Sequence, residues 1–511
     1  MNSFFVTTAI SYVNGKPHLG HAYEAIACDV LARYKRLSGV NTFFLTGTDE
    51  HGEKNERSAN KEGLSPQEFT KINSDHFEDM TNYLNISNDY FIRTSSESHH
   101  IASKALWNKL VENNEIYIDK YEGWYSIVDE TFINEDEIID GPNKTKLGPS
   151  GDKLEWLEEP SYFFKLSKWT NKLLEFYKEN PDFIKPKSRR NEVINFVKQG
   201  LNDLSISRQR LKWGIKVPND NKHVMYVWLD ALTNYLTAIN YPDISDKKFK
   251  CFWPADFHVI GKDIVRFHAV YWPAFLMSAG LEPPKTIFCH GFLNINGSKM
   301  SKSLGNVLSP KDLVEKYGLD QLRYFLLREV PFGQDGNFSH TQITQRINND
   351  LANDYGNLSQ RVLSFINKNC SSQIPEYFEL NELDQKYINK FKSLNKSCDK
   401  LIFDNLEFHN VLIEIWSCIS SANQYIDEQA PWKLKNNNNK RMETILYLLA
   451  CSIKYLTIML QPFMPSSCSL ILDQLAVENN NRSFNELNNF LSLKPGTQLP
   501  KPTGIFPRFT D

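Results

Sequence analysis

The chain has 511 residues, 41% of them hydrophobic and 23% charged, which suits a globular protein of roughly two or three domains rather than one core. Its formal net charge of −3 excludes a globally basic nucleic-acid binder, so a nucleic-acid partner would have to be met by local basic patches. The eight cysteines are scattered and form no C-x-x-C pair, which excludes a disulfide framework and points to a reducing, intracellular compartment.

Phe4 to Thr8 reads as a buried parallel strand. A core strand this early leaves no room for a signal or transit peptide, and no apolar run approaches the roughly 20 residues needed to span a bilayer. A cytoplasmic protein without membrane contact is expected. After a loop through Gly15 and Pro17, apolar residues at Leu19, Tyr23, Ile26, Val30, Tyr34 and Leu37 keep helical spacing. A second strand, Thr42 to Leu45, leads into Gly47-Thr48-Asp49-Glu50-His51-Gly52. Strand, helix and strand imply a right-handed βαβ unit, whose ligands sit at the carboxyl ends of the strands. From about Tyr117 to Trp213, short aromatic runs, acidic stretches and the breaks Gly141-Pro142 and Gly148-Pro149 suggest an insertion. The α/β pattern resumes with Val224 to Trp228 and Phe257 to Asp263, and after about Ser339 the chain reads as helical. Asn436 to Asn439 is a polar loop tip.

Two distant strings carry chemistry. Pro17-His18-Leu19-Gly20-His21 places two imidazoles around a glycine at the head of the first helix. Spaced three apart, they are expected to face one side of its first turn, where backbone N–H groups and the helix dipole attract phosphate. Gly297-Ser298-Lys299-Met300-Ser301-Lys302-Ser303-Leu304-Gly305 places two lysines and several hydroxyls in a glycine-flanked loop. Taken singly, the first string also fits ordinary core or surface histidines, and the second a solvated loop. Together, in this order, they suit one triphosphate site built from two segments.

The two strings resemble the HIGH and KMSKS signatures of the class I aminoacyl-tRNA synthetases. Further strings are similar to the methionyl-tRNA synthetase family: Ala9-Ile10-Ser11-Tyr12-Val13-Asn14-Gly15, Gly47 to Gly52, Asp203 to Arg208, Tyr226 to Ala231, and Gly261 to Trp272. The resemblance runs to the Ile505-Phe506-Pro507-Arg508 tail. It implies an α/β fold: a Rossmann-like parallel-sheet catalytic domain with a connective insertion, followed by an all-α anticodon-binding domain. The expected bounds are 1–116 and 216–275 for the catalytic halves, 117–215 for the insertion, 276–340 for the lysine-motif and stem-contact region, and 341–511 for the helical domain with its tail.

The resemblance also implies a reaction. A methionine carboxylate attacks the α-phosphate of ATP, pyrophosphate leaves, and the methionyl group passes to the 3′ end of tRNA(Met), serving translation initiation and elongation. Such transfers depend on positioning and charge stabilisation. By resemblance His18, His21, Lys299 and Lys302 are catalytic, and Gly20, Glu24 and Asp263 join them around ATP. ATP would bring Mg²⁺, held by phosphate and water. Ile10, Tyr12, Trp228, Ala231, Tyr235, Ile264 and His268 would line the methionine pocket, with Tyr12, Tyr235 and His268 offering polar tips near a polarizable sulfur. Asp49 would pair with the substrate ammonium. Without the resemblance, Trp228, Ala231 and Tyr235 fit an ordinary core equally well. In the helical domain Trp432 matches a tryptophan that stacks on an anticodon base, and Asn357 and Arg361 match polar readers. A buried packing tryptophan is the other reading of Trp432.

The chain departs from many relatives in the insertion. Ser126 and Asp129 stand where zinc-binding cysteines would be expected, and no cysteine lies between Cys28 and Cys251. No structural zinc is expected, with Tyr, Trp and salt-bridge packing in its place. The chain stops soon after Arg508, without the appended domain that dimerises some relatives, so a monomer is expected. The insertion is too short for the editing domain of the leucine, isoleucine and valine enzymes. Two other readings remain: a synthetase-like tRNA-binding protein without catalysis, which the joint presence of His18, His21, Asp49, Lys299 and Lys302 disfavours, and a nucleotidyltransferase of another kind, which would leave the helical domain unexplained.

Overall fold

Phe5 and Val6 are fully buried in strand β1 (Ser3–Thr8), and this explains why the strand reads as an unbroken apolar run rather than an alternating one. The computed structural model describes residues 3–510, apart from 129–130, 134, 296 and 300–306, with the side chains of 121, 131, 132, 143, 298 and 299 also outside the description. The chain divides into two compact units, Met1–Pro17 with Thr42–His290, and His18–Asn41 with Gly291–Asp511.

The first unit is built on a seven-stranded sheet. It contains β1, β2 (Asn41–Asp49), β3 (Tyr90–Arg93), β4 (Phe257–Gly261) and β5 (Thr286–His290), with the short strands Ser11–Tyr12 and Ile184–Lys185 at its margins. β1 pairs with β4 through Val6 and Phe257, β4 with β5 through His258 and Ile287, and β2 with β3 through Leu45 and Tyr90. All three pairings are parallel, so the strands end on a common edge. Ile10, Tyr12, Asp49, Asp263 and Ile264 follow or close these carboxyl ends, where an open α/β sheet binds ligands. Gly47 lets β2 and β3 approach: a Cβ there would lie 2.1 Å from the Ile92 carbonyl oxygen.

The insertion folds around antiparallel strands Ile116–Ser126 and Glu155–Phe164, joined by Leu204–Ser205, with helices Thr170–Glu179 and Lys187–Lys198. Trp124 meets Trp156 edge-on at 5.4 Å, the Ser126 hydroxyl donates to Asp152 at 2.7 Å, and Lys146 pairs with Asp140 at 2.6 Å. Asp129 lies outside the described residues. Among the described residues no group of three or more His, Cys, Asp or Glu is placed to hold a metal ion. The segment Val224 to Trp228 departs from the sequence expectation. Val224 and Met225 end an antiparallel strand of a separate small sheet, and Val227 already opens helix Val227–Leu232. The short apolar run is buried in both elements, and apolar runs of this length do not distinguish strand from helix.

The second unit is helical. Helix α1 (Leu19–Leu37) buries Leu19, Tyr23, Ile26, Val30 and Tyr34, the residues whose spacing announced it. It packs through Tyr23 on Phe332 and Tyr34 on Phe484. Asp29, also buried on α1, pairs at 2.6 Å with the fully buried Arg323 of α2 (Leu319–Glu329). Arg323 donates further to the Phe463 and Pro462 carbonyls. The remaining main helices are α3 (Asn357–Asn369), α4 (Phe408–Gln429) and α5 (Asn439–Leu460). α5 is long and apolar enough to cross a membrane by length and composition, but 94% of its most apolar window is buried in this protein, as in a core helix.

Candidate functional site

In the first unit, helices Val227–Leu232 and Asn234–Thr237 and the π-helical turn Phe267–Tyr271 bring Trp228, Tyr235 and His268 together. Trp228 stacks on Phe267 with centroids 3.7 Å apart and planes 5° from parallel. Phe267 was not among the residues expected from the sequence. It lies next to His268 in the string Gly261 to Trp272. His268 is buried, and among the described residues its Nδ1 meets the Ile264 carbonyl, at 3.1 Å. A carbonyl accepts, so Nδ1 carries the proton and Nε2 accepts from the Tyr235 hydroxyl at 2.7 Å. Burial pushes the His268 imidazole down to about 4, which keeps the ring neutral at neutral pH. Tyr235 also stacks on buried His258 at 3.9 Å. Burial, and then the neighbouring His268, hold His258 well below the usual histidine range. Tyr235 and His268 spend their donors on each other and on the backbone, and they act as one uncharged pair.

Asp49 closes β2 and is buried. Its loop is tethered on both sides. Asn55 Nδ2 donates to the Asp49 and His51 carbonyls, Trp213 Nε1 donates to the Glu50 carbonyl at 2.5 Å, and the Glu50 carboxylate takes Arg93 at 2.7 Å and the Ser95 hydroxyl. Gly52 sits at φ 106°, a conformation that glycine adopts without strain. Tyr12 pairs with Asp49 across the short parallel ladder, and Ile10 and Ile264 are half-buried. Asp263 is exposed in the turn after β4. Arg208, from the string Asp203 to Arg208, was given no role by the sequence reading. It is buried, donates to Ser205 and Ser207, and lies over Tyr125 and Tyr226 at 5.2 and 5.0 Å.

In the second unit His18 is the N-cap of α1, with extended backbone at φ −124°, and so precedes the first turn instead of lying on it. Its Nδ1 accepts from Gly20 N–H at 3.1 Å, and His21 Nδ1 accepts from His18 N–H at 3.1 Å. The two rings stack at 3.8 Å. With both Nδ1 atoms accepting, each neutral ring carries its proton on Nε2. Two N–H donors are thereby presented side by side at a helix N-terminus, an arrangement suited to phosphate. Gly20 lies in the first turn and Glu24, half-buried, in the second. Leu19 N–H, at the same helix head, donates to the Leu308 carbonyl at 3.1 Å. Leu308 lies three residues beyond Gly305, the last residue of the lysine string. Lys299 is in a short strand paired through Asn294, with Gly297 turning at φ 79° before it. The Lys299 side chain, Lys302 and Gly305 lie outside the described residues.

Trp432 is 43% exposed, so it is not the buried packing tryptophan of the alternative reading. Ala430, at φ 41°, turns the chain from α4 into the short helix Pro431–Leu434 that carries it. Arg361 lies over the Trp432 ring at 5.1 Å and pairs with Asp427 at 2.5 Å. Asn357, at the start of α3, is exposed. The turn is anchored from below: Arg441 holds Gln429 at 2.6 Å and the buried Asp384 carboxylate with both guanidinium nitrogens.

The profile of the family described as tRNA synthetases class I (M) matches residues 4–156 and 145–363, and that of the anticodon binding domain of methionyl tRNA ligase matches residues 374–511. A methionine–tRNA ligase of Rhizobium meliloti is 53% identical over 507 residues, 99% of this chain and 98% of that protein. One of Brucella suis is 51% identical over 508 residues, with 99% and 98% covered. The structure of Mycobacterium tuberculosis methionyl-tRNA synthetase in complex with methionyl-adenylate matches with a TM-score of 0.97 and 49% identity, covering 99% of this chain and 100% of that one. The apo form from the same organism matches with a TM-score of 0.90 and 46% identity, covering 100% and 99%.

Proposed function

The chain belongs to the class I tRNA synthetases of the methionyl type, and from that premise we propose that it joins methionine to tRNA(Met) at the expense of ATP. The first half-reaction makes methionyl-adenylate and pyrophosphate. The second transfers the methionyl group to the 3′-terminal ribose of the tRNA.

The observation that carries the choice of amino acid is the neutral Tyr235–His268 pair beside Trp228. A thioether is polarizable and uncharged, so it is best met by aromatic edges and a buried pair with no net charge. A pocket for a charged side chain would need a counter-ion there. Asp49, at the mouth of the same strand edge, takes the substrate ammonium. His18 and His21 donate from Nε2 to the ATP phosphates, Gly20 and Glu24 lie against the adenosine, and Asp263 binds the ribose. Lys299 and Lys302 neutralise charge on the departing pyrophosphate. Mg²⁺ enters with ATP as part of the substrate, held by phosphate and water. Trp432 stacks on an anticodon base, with Asn357 and Arg361 reading polar edges.

Methionine-dependent exchange of pyrophosphate into ATP tests the reading. Its absence, with tRNA binding intact, would replace the enzyme by a synthetase-like tRNA-binding protein. Eight scattered cysteines without a C-x-x-C pair suit a cytoplasmic protein, and the monomer is tested by mass from light scattering.

A further inference from the structure

Asp230 lies in the buried, largely apolar helix Val227–Leu232, where a charge is stable only with partners. Two come from remote segments. His51 Nδ1 is 2.7 Å from Asp230 Oδ2, and His99 Nε2 is 2.7 Å from Oδ1. A carboxylate only accepts, so both imidazoles donate. The other nitrogen of His99 meets the Thr237 hydroxyl at 2.9 Å. All four side chains are buried. Burial alone would push the Asp230 carboxyl up; the His51 charge and the two hydrogen bonds outweigh it and hold it well below the usual range.

The three segments matter for what else they carry. His51 is two residues beyond Asp49. Asp230 is two residues beyond Trp228 and adjacent to Ala231. Thr237 is two residues beyond Tyr235. Buried ionic networks are poor sources of net stability compared with well-packed apolar residues, and their best-attested use is to fix one arrangement among several. We infer that Asp230 is a positioning residue for the amino-acid pocket: by gathering His51 and His99 it holds the Asp49 loop against the helix that carries Trp228 and Ala231. This rests on the reading of that pocket as the methionine site.

The test is pyrophosphate exchange with methionine and ATP varied separately. Asp230→Asn keeps the side chain's size but turns one acceptor into a donor facing an imidazole N–H. It is expected to raise the methionine KM about tenfold or more, because small misplacements of a binding group are costly. The ATP KM should stay within about twofold, the mark of a defect confined to one substrate. Two further pairs serve if Asp230→Asn does not fold. His51→Asn and His99→Gln each keep an N–H where the imidazole donated, and should retain a methionine KM near wild type. His51→Leu and His99→Leu remove it and should show the raised KM. The inference is overturned if methionine and ATP KM rise together, if neither moves, or if the amide and leucine variants behave alike. Trp228→Ala separates the two levels. A raised methionine KM there, with none in Asp230→Asn, leaves the pocket standing and removes the positioning role. An unchanged methionine KM in Trp228→Ala overturns both.

Discussion

Neutral His268 is the feature on which the proposed amino-acid pocket depends, and its protonation is directly measurable. A fall from 6.5 to about 4 corresponds to a bias of about 3 kcal/mol toward the neutral ring. At pH 7 roughly one ring in a thousand would then carry charge. The cause is burial, since His268 sits beside Tyr235 and near His258, which is itself held neutral. The expected experiment follows the ring Cε1–H signals of the twelve histidines by NMR across pH, with His268 assigned by its loss in His268→Gln. The signal should stay at its neutral position down to about pH 5 and move only near 4, and the methionine KM should be flat from about pH 8 to 5.5. A midpoint near 6.5, or a methionine KM that doubles as pH falls through 6.5, would refute the assignment of Tyr235 as donor and His268 as acceptor.

The same ring sets a stability window. In the unfolded chain His268 takes a proton near 6.5, while in the folded chain it refuses one until about 4. The unfolded state therefore binds more protons between those values, and folding loses up to about 3 kcal/mol as pH falls through them. Above about 6.5 neither state is charged and the loss vanishes. Because His258 shifts in the same direction, acid lability should begin before the carboxylates titrate.

Three other outcomes are expected. Lys302→Ala should keep methionine binding, measured by calorimetry, while slowing adenylate formation by about a hundredfold or more, as loss of a charge-stabilising group does; exchange at the wild-type rate would remove its role. Trp432→Ala should raise the tRNA KM in aminoacylation between roughly fivefold and a hundredfold, the worth of one stacking platform, and leave pyrophosphate exchange intact; a joint fall of both reactions would mean structural damage. Arg323→Met should destabilise the helical unit by up to about 3–5 kcal/mol, because it removes the buried one of the two arginines on the Asp29 carboxylate, leaving Arg33, and the donor to the Phe463 and Pro462 carbonyls, with partial recovery in Arg323→Met/Asp29→Leu; thermal melting of the single and double variants checks this, and equal melting temperatures for wild type and single variant would refute it.

What was legible in the sequence, and what was not, follows from the range of the interactions. α1 announced itself because its buried residues recur at helical spacing, and β1 because a strand covered on both faces has nothing polar to show. The resemblance assigned Tyr235, His268 and Trp228 to one expected pocket, and the structure brings the three side chains together. Three things were hidden because they need a partner far along the chain or a particular ring orientation. His18 caps α1 through its ring, which nothing in His-Leu-Gly-His distinguishes from a place within the first turn. Tyr235 and His268 consume each other's hydrogen bonds, which no spacing of 33 residues encodes. Asp230 was the one visible clue to its own network: a carboxylate inside Tyr226-Val227-Trp228-Leu229-Asp230-Ala231-Leu232 must find donors somewhere, and physical chemistry demands that they exist without saying which they are. Only the fold could supply His51 and His99. A charged residue stranded in a buried apolar run is thus a question the sequence poses and the structure answers. Here the answer joins the loop after Asp49 to the helix that carries Trp228, the two ends of the proposed methionine pocket.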